Sequence, residues 1–121
     1  MKIILVVEDE SALQKAMSDV LTQEGFEVAS APDGEAGLRL AQEKKPNLIL
    51  LDLILPKMNG FEVLEALKKD MATRSIPVIV LTNLEDMKNI QKAVDLGATT
   101  YLVKANYSLE EVLEKVKNTV A

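Results

Sequence analysis

The chain of 121 residues holds 48% hydrophobic and 27% charged residues at a net charge of −5, the balance of a single folded domain. An acidic chain with only two Tyr and two Phe is poorly suited to phosphate backbones and stacked bases, which argues against nucleic-acid binding. With no Cys and no His, disulfides, thiolate nucleophiles, Ser-His triads and most zinc sites are excluded, so any chemistry must use carboxylates, hydroxyls and amines.

The apolar start, Ile3 to Val7, meets Glu8 too soon for the core of a signal peptide, and no other run approaches the roughly 18 residues of a membrane span. A cytoplasmic protein without membrane insertion is expected. Ile3–Val7 reads as a buried strand. Ser11 with Gln14 three positions on then suggests a capping box for a helix carrying Leu13, Ala16, Met17, Val20 and Leu21 at helical spacing. Gly25 closes that helix, and Phe26 to Ser30 alternates like an edge strand with one wet face. Pro32-Asp33-Gly34 opens a second helix with Asp33 as N-cap and Ala36, Leu40 and Ala41 facing inward, and Pro46 ends it.

Leu48 to Asp52 is an apolar run that stops at a carboxylate and a Pro56 to Gly60 loop, the pattern of a strand buried on both faces. A helix follows from about Gly60, with Phe61, Leu64, Leu67 and Met71 on one face. Ile76 to Thr82 is the fourth strand, with Pro77 tolerable only near its start. Met87, Ile90 and Val94 line the fourth helix, which Gly97 terminates. Thr99 to Val103 is the fifth strand, ending in Lys104. Ser108 with Glu111 caps the last helix, Tyr107 can staple onto Val112, and Leu109, Leu113 and Val116 continue the buried face.

Five strands alternating with five helices predict an α/β, doubly wound, five-stranded parallel sheet of flavodoxin-like type, with one domain over residues 1–121. The order 2-1-3-4-5 puts the two most apolar strands side by side at the point where the winding reverses. Glu8, Asp9 and Asp52 then converge at one sheet edge, with Thr82 and Lys104 on the strand ends beside them. Unscreened, such carboxylates repel by roughly 4 kcal/mol per pair at about 4 Å for an effective dielectric near 20, which would raise their pKa values. A hard divalent cation such as Mg²⁺ is the simplest compensation, because it takes oxygen ligands and pairs carboxylates with a phosphoryl group. Lys104 and Thr82 add a charge and a hydroxyl suited to phosphoryl oxygens, and an Asp carboxylate can itself accept a phosphoryl group. Singly, each residue has a plain structural explanation: a snorkelling lysine, a strand-end hydroxyl, acids of a helix cap. Their coincidence on one edge favours the chemical reading.

Val6-Val7-Glu8-Asp9-Glu10, Asp52 with Pro56 and Gly60, Val80-Leu81-Thr82 and Tyr101-Leu102-Val103-Lys104 together resemble the receiver domain of two-component response regulators. The likeness runs from about Ile3 to the last helix, and receivers carry the same strand order. By this resemblance Asp52 takes a phosphoryl group from a partner histidine kinase or phosphotransfer protein. Glu8, Asp9, Asp52 and the Ile54 backbone carbonyl would hold Mg²⁺, and Thr82 and Lys104 would grip the phosphoryl group. A switch through Thr82 and Tyr101 would alter the face of the fourth helix, fifth strand and fifth helix, where an output partner docks. The protein would then be no enzyme in the ordinary sense, but a switch that assists its own phosphorylation and dephosphorylation.

Three departures from the family stand out: Glu8 where Asp is commoner, Asn83 where a small residue is usual, and Ala105 where a cis proline usually follows the lysine. A trans Lys104–Ala105 peptide is expected, because a cis bond before a non-proline costs roughly 2.5 to 4 kcal/mol. Two competitors are a receiver that has lost phosphorylation and serves only as an interaction module, and a phosphohydrolase of the haloacid dehalogenase type. Intact Asp52, Thr82 and Lys104 argue against the first. Against the second, Leu53 and Ile54 follow Asp52, so no second Asp lies two residues on.

Overall fold

A computed structural model describes all 121 residues. Strands β1 (Ile3–Val7), β2 (Glu27–Ala31), β3 (Leu48–Leu51), β4 (Val78–Thr82) and β5 (Thr100–Val103) alternate with helices α1 (Ser11–Gln23), α2 (Gly34–Lys44), α3 (Gly60–Lys69), α4 (Met87–Asp95) and α5 (Leu109–Val120). The strands form one parallel sheet in the order β2-β1-β3-β4-β5, as expected.

The strict alternation of strand side chains divides the core in two. Ile4, Val6, Leu48, Leu50, Ile79 and Leu81 point to the face covered by Met17 and Leu21 of α1 and by Val112 and Val116 of α5. Leu5, Val7, Ile49, Leu51, Val78 and Val80 point to the other face, under Ala41 of α2, Val63, Leu64 and Leu67 of α3, and Ala93 of α4. Both faces of the central strands are therefore dry, which is why their sequences are continuously apolar rather than alternating.

Several local expectations are corrected. No capping box opens α1: its N-cap is Glu10, with no side-chain cap bond, and Ser11 is already helical. Gln14 is drawn away to tie two strand ends, donating from Nε2 to the carbonyls of Glu8 at 2.9 Å and Ala31 at 3.2 Å. A capping box unforeseen from the sequence instead opens α3, where Asn59 accepts from the Glu62 N–H and Glu62 accepts from the Asn59 N–H. β4 starts at Val78 rather than Ile76, although the Pro77 carbonyl accepts from Ile49 N–H at 3.0 Å. Met71 lies beyond the end of α3 and is 78% exposed. On α4 the apolar stripe is only partly covered: Met87 is 75% and Val94 50% exposed, Ile90 is half-buried, and Ala93 makes the fully buried contact. Helical periodicity identifies a face but not what that face touches. Asp33 caps α2 as expected, accepting from Ala36 N–H at 2.8 Å, and the Ser108–Glu111 box opens α5. No helix is long and apolar enough to cross a membrane.

Candidate functional site

The parallel register brings the C-terminal ends of β1 and β3 together, pairing Val7 with Leu51, so the next residues on each chain, Glu8 and Asp52, emerge side by side. Both are buried, at 2% and 5% exposure, a rare state for carboxylates. The lysine that follows β5 resolves the cost: Lys104 Nζ lies 2.8 Å from Glu8 Oε1 and 2.8 Å from Asp52 Oδ2. The remaining oxygens are also engaged, Glu8 Oε2 by Glu10 N–H at 3.1 Å and Asp52 Oδ1 by Ile54 N–H at 3.2 Å. Gly60 completes the packing behind Asp52. A Cβ at that position would overlap the Asp52 carbonyl oxygen and stand 2.5 Å from Leu53 Cα, so only glycine lets α3 begin so close to the strand end.

Burial raises the Glu8 pKa above its ordinary value; the hydrogen bonds from Lys104 and Glu10 oppose the shift, and the Asp52 charge adds to it. Desolvation, rather than the mutual repulsion expected from the sequence, is thus the main cause. Lys104 is raised for a different balance of reasons. Burial alone would lower it, but the hydrogen bonds to Asp52 and Glu8 and their charges outweigh that effect. Compensation expected from a cation alone is therefore partly internal.

Carboxylate oxygens of Glu8, Asp9 and Asp52 all lie within 4.8 Å of one another, beside an open cavity of about 220 Å³ that Ile54, Asn83 and Lys104 also line. Three carboxylates against one ammonium leave about two negative charges, the amount a divalent cation offsets. The donors are all oxygens, the set that Mg²⁺ prefers. The residues present thus fit such an ion.

Thr82 and Tyr101 stand apart from this wall. Thr82 is fully buried, and its Oγ1 is 3.5 Å from the Leu84 N–H. Tyr101 donates from its hydroxyl to the Leu84 carbonyl at 2.7 Å, and burial, then the charges of Asp86 and Asp52, raise its pKa. Asn83 occupies the cavity wall on the β4 side. Glu10, whose N–H steadies Glu8, and Gln14, which braces the Glu8 carbonyl, were not foreseen as parts of the site. A Gln six residues after a strand-end acid, inside the next helix, carries no sequence signal of that contact. The Lys104–Ala105 peptide is trans, as expected, and Lys104–Asn106 forms a single 3-10 turn.

Residues 4–117 match the family of response regulator receiver domains. The DNA-binding dual master transcriptional regulator RpaA of Synechocystis sp. is 40% identical over 114 residues, covering 94% of this chain and 47% of that protein. A CheY-like response regulator receiver domain protein from Methanospirillum hungatei superimposes with a TM-score of 0.92 at 31% identity, over 99% of this chain and 94% of that one. The Mn²⁺-bound form of response regulator Rcp1 does so with a TM-score of 0.83 at 33% identity, over 98% and 91%. The chain belongs to the receiver domains of two-component response regulators. It spans about half the length of the curated relatives it matches, 47% of RpaA among them.

Proposed function

We propose that Asp52 is the phosphoacceptor of a Mg²⁺-dependent signalling switch, fed by a histidine kinase or phosphotransfer protein. The observation that carries this reading is the contact of Lys104 with a buried strand-end Asp52 that faces an open acidic cavity. In the transfer, an Asp52 oxygen forms a bond to phosphorus as the bond from phosphorus to the donor's imidazole nitrogen breaks, and the imidazole takes up a proton. Glu8, Asp9, Asp52 and the Ile54 carbonyl would hold Mg²⁺, which supplies positive charge to the phosphoryl oxygens. Lys104 is already held at the acceptor and supplies a second positive charge there. The existence of a Mn²⁺-bound form of Rcp1, a relative with a similar fold, supports divalent-cation binding by this fold. The intact Lys104–Asp52 contact speaks against a receiver that has lost phosphorylation.

The switch would run through Leu84, which both Thr82 and Tyr101 engage. Drawing the Thr82 hydroxyl toward a phosphoryl group releases the Leu84 N–H, and the loop that anchors Tyr101 shifts with it. The exposed apolar stripe of α4, with Met87 and Val94, lies on the α4-β5-α5 face where an output partner would dock. The DNA-binding role of RpaA suggests that a transcriptional output is one such partner.

Incubation with acetyl phosphate should add the mass of one phosphoryl group only when Mg²⁺ is present, and Asp52→Asn should abolish the gain. A phosphoryl group mapped to another residue, or gained equally without Mg²⁺, would overturn the assignment.

A further inference from the structure

The loop after Asp52 contains an unusual turn. Lys57 has a φ of 68°, in the left-handed region that side chains disfavour, and Met58 N–H donates across it to the Pro56 carbonyl at 2.8 Å. This is the pattern of a strained three-residue γ-turn. Nothing in Pro56-Lys57-Met58 itself favours it, since neither Gly nor Asn occupies the strained position.

The start of α2 presses against this turn from outside. Gly34 N–H also reaches the Pro56 carbonyl, at 3.4 Å. A Cβ on Gly34 would overlap the Met58 carbonyl oxygen, stand 2.6 Å from the Met58 carbonyl carbon and 2.8 Å from the Met58 Cβ. The neighbouring Asp33, mostly buried at 13% side-chain exposure, caps α2 with Oδ1 and turns Oδ2 toward Lys57 Nζ at 3.9 Å. Gly34 is the first residue of α2, where alanine is the better helix former, so helix propensity does not account for glycine there. Close approach to the loop does.

We propose that Gly34, seconded by Asp33, is a positioning residue for the metal site: α2 holds the turn at Lys57 and thereby sets the strand-to-helix loop that carries Ile54. This rests on the reading of Glu8, Asp9, Asp52 and the Ile54 carbonyl as the Mg²⁺ site. Widening the gap by one methyl group at Gly34 shifts the loop, and the metal loses affinity although every proposed ligand is still present. Gly37 supplies the control. One turn further along α2, its Cβ would stand 2.8 Å from Val7 Cγ1, so Gly37→Ala disturbs the core on the same helix without touching the loop.

Amide NMR titration of the phosphate-free protein with MgCl₂ gives the test. In the unmodified chain the Gly34 amide should shift in step with those of Leu53 to Asn59; a Gly34 amide unmoved at saturation overturns the proposal. Gly34→Ala should weaken the Mg²⁺ dissociation constant at least fivefold, with Gly37→Ala within twofold of the unmodified chain. Equal losses in both variants, or none in Gly34→Ala, overturn it. Should Gly34→Ala fail to fold, the titration of the unmodified chain decides. If Mg²⁺ shifts no amide of the unmodified chain, the metal site itself is refuted and the positioning role falls with it.

Discussion

Lys104 and Lys68 are both withdrawn from full solvent, and each places its ammonium between two oxygens. Lys104, at the end of β5, faces two carboxylates, and its pKa is raised. Lys68, in the last turn of α3, donates to the backbone carbonyls of Arg74 at 3.2 Å and Ile76 at 3.0 Å, and burial lowers its pKa. Neutral dipoles satisfy hydrogen bonds but do not offset the cost of desolvating a charge, whereas carboxylates do both. Lys68 fastens a loop. Lys104 lets two carboxylates stay buried at one strand edge.

The largest expected effect is the loss of that second role. Lys104→Met should destabilise the metal-free protein by about 3–5 kcal/mol in urea unfolding at neutral pH, because it strands two buried carboxylates. Mg²⁺ comes next: at about 100 times its dissociation constant it should stabilise the unmodified chain by about 2.7 kcal/mol. Thermal melts should show a larger gain for Lys104→Met, whose cluster is more negative, and an unchanged gain for Lys68→Met. A gain no larger in Lys104→Met would mean that the lysine and the cation do not share the same charge.

Lys68→Met should cost only about 1 kcal/mol, since water can reach the carbonyls it leaves. The two lysines also differ in sign with pH. The stability lent by Lys104 is complete below the ordinary value of 10.5 and is lost as pH climbs through its higher folded value. For Lys68 the folded state gives up the proton more readily, so stability rises with pH from its lowered folded value up to 10.5. Urea midpoints across alkaline pH should therefore show the gap between the unmodified chain and Lys104→Met closing above 10.5, and the gap to Lys68→Met widening just below it. Parallel curves for both variants would erase the distinction. The smallest effect belongs to a pair with no buried partner. Lys15 and Asp19, at 77% and 58% exposure, should lose no more than about 0.5 kcal/mol in Lys15→Met.

The site was legible in the sequence because its residues stand at strand ends, where an apolar run breaks at a charged residue: Val7 to Glu8, Leu51 to Asp52, Val103 to Lys104. Those breaks survive any error in the helices. The strand order was legible only together with the family resemblance. Less was readable where a residue has two possible partners. Gln14 could cap α1 or bind the carbonyls of Glu8 and Ala31, and local spacing cannot choose between a nearby partner and one 17 residues away. The α4 stripe was only partly readable for the complementary reason, since Met87 and Val94 repeat like core residues yet stay 75% and 50% exposed. Asn59 and Glu62 carry the N-cap signature of α3, an Asn followed three residues later by Glu, but it lies inside a Pro56 to Gly60 stretch that also has the composition of a turn.

The placing of the aromatic residues has an optical consequence. There is no tryptophan, and the two tyrosines bracket Lys104, Tyr101 on β5 three residues before it and Tyr107 three residues after. All tyrosine emission of the protein therefore originates from β5 and the turn beyond it. A change at Leu84 that breaks the Tyr101 hydrogen bond will alter that emission with the rest of the sheet undisturbed, whereas loss of structure around β2 can pass unseen. The chain carries its own local reporter for the surroundings of Leu84, and global unfolding is better followed by its far-ultraviolet dichroism.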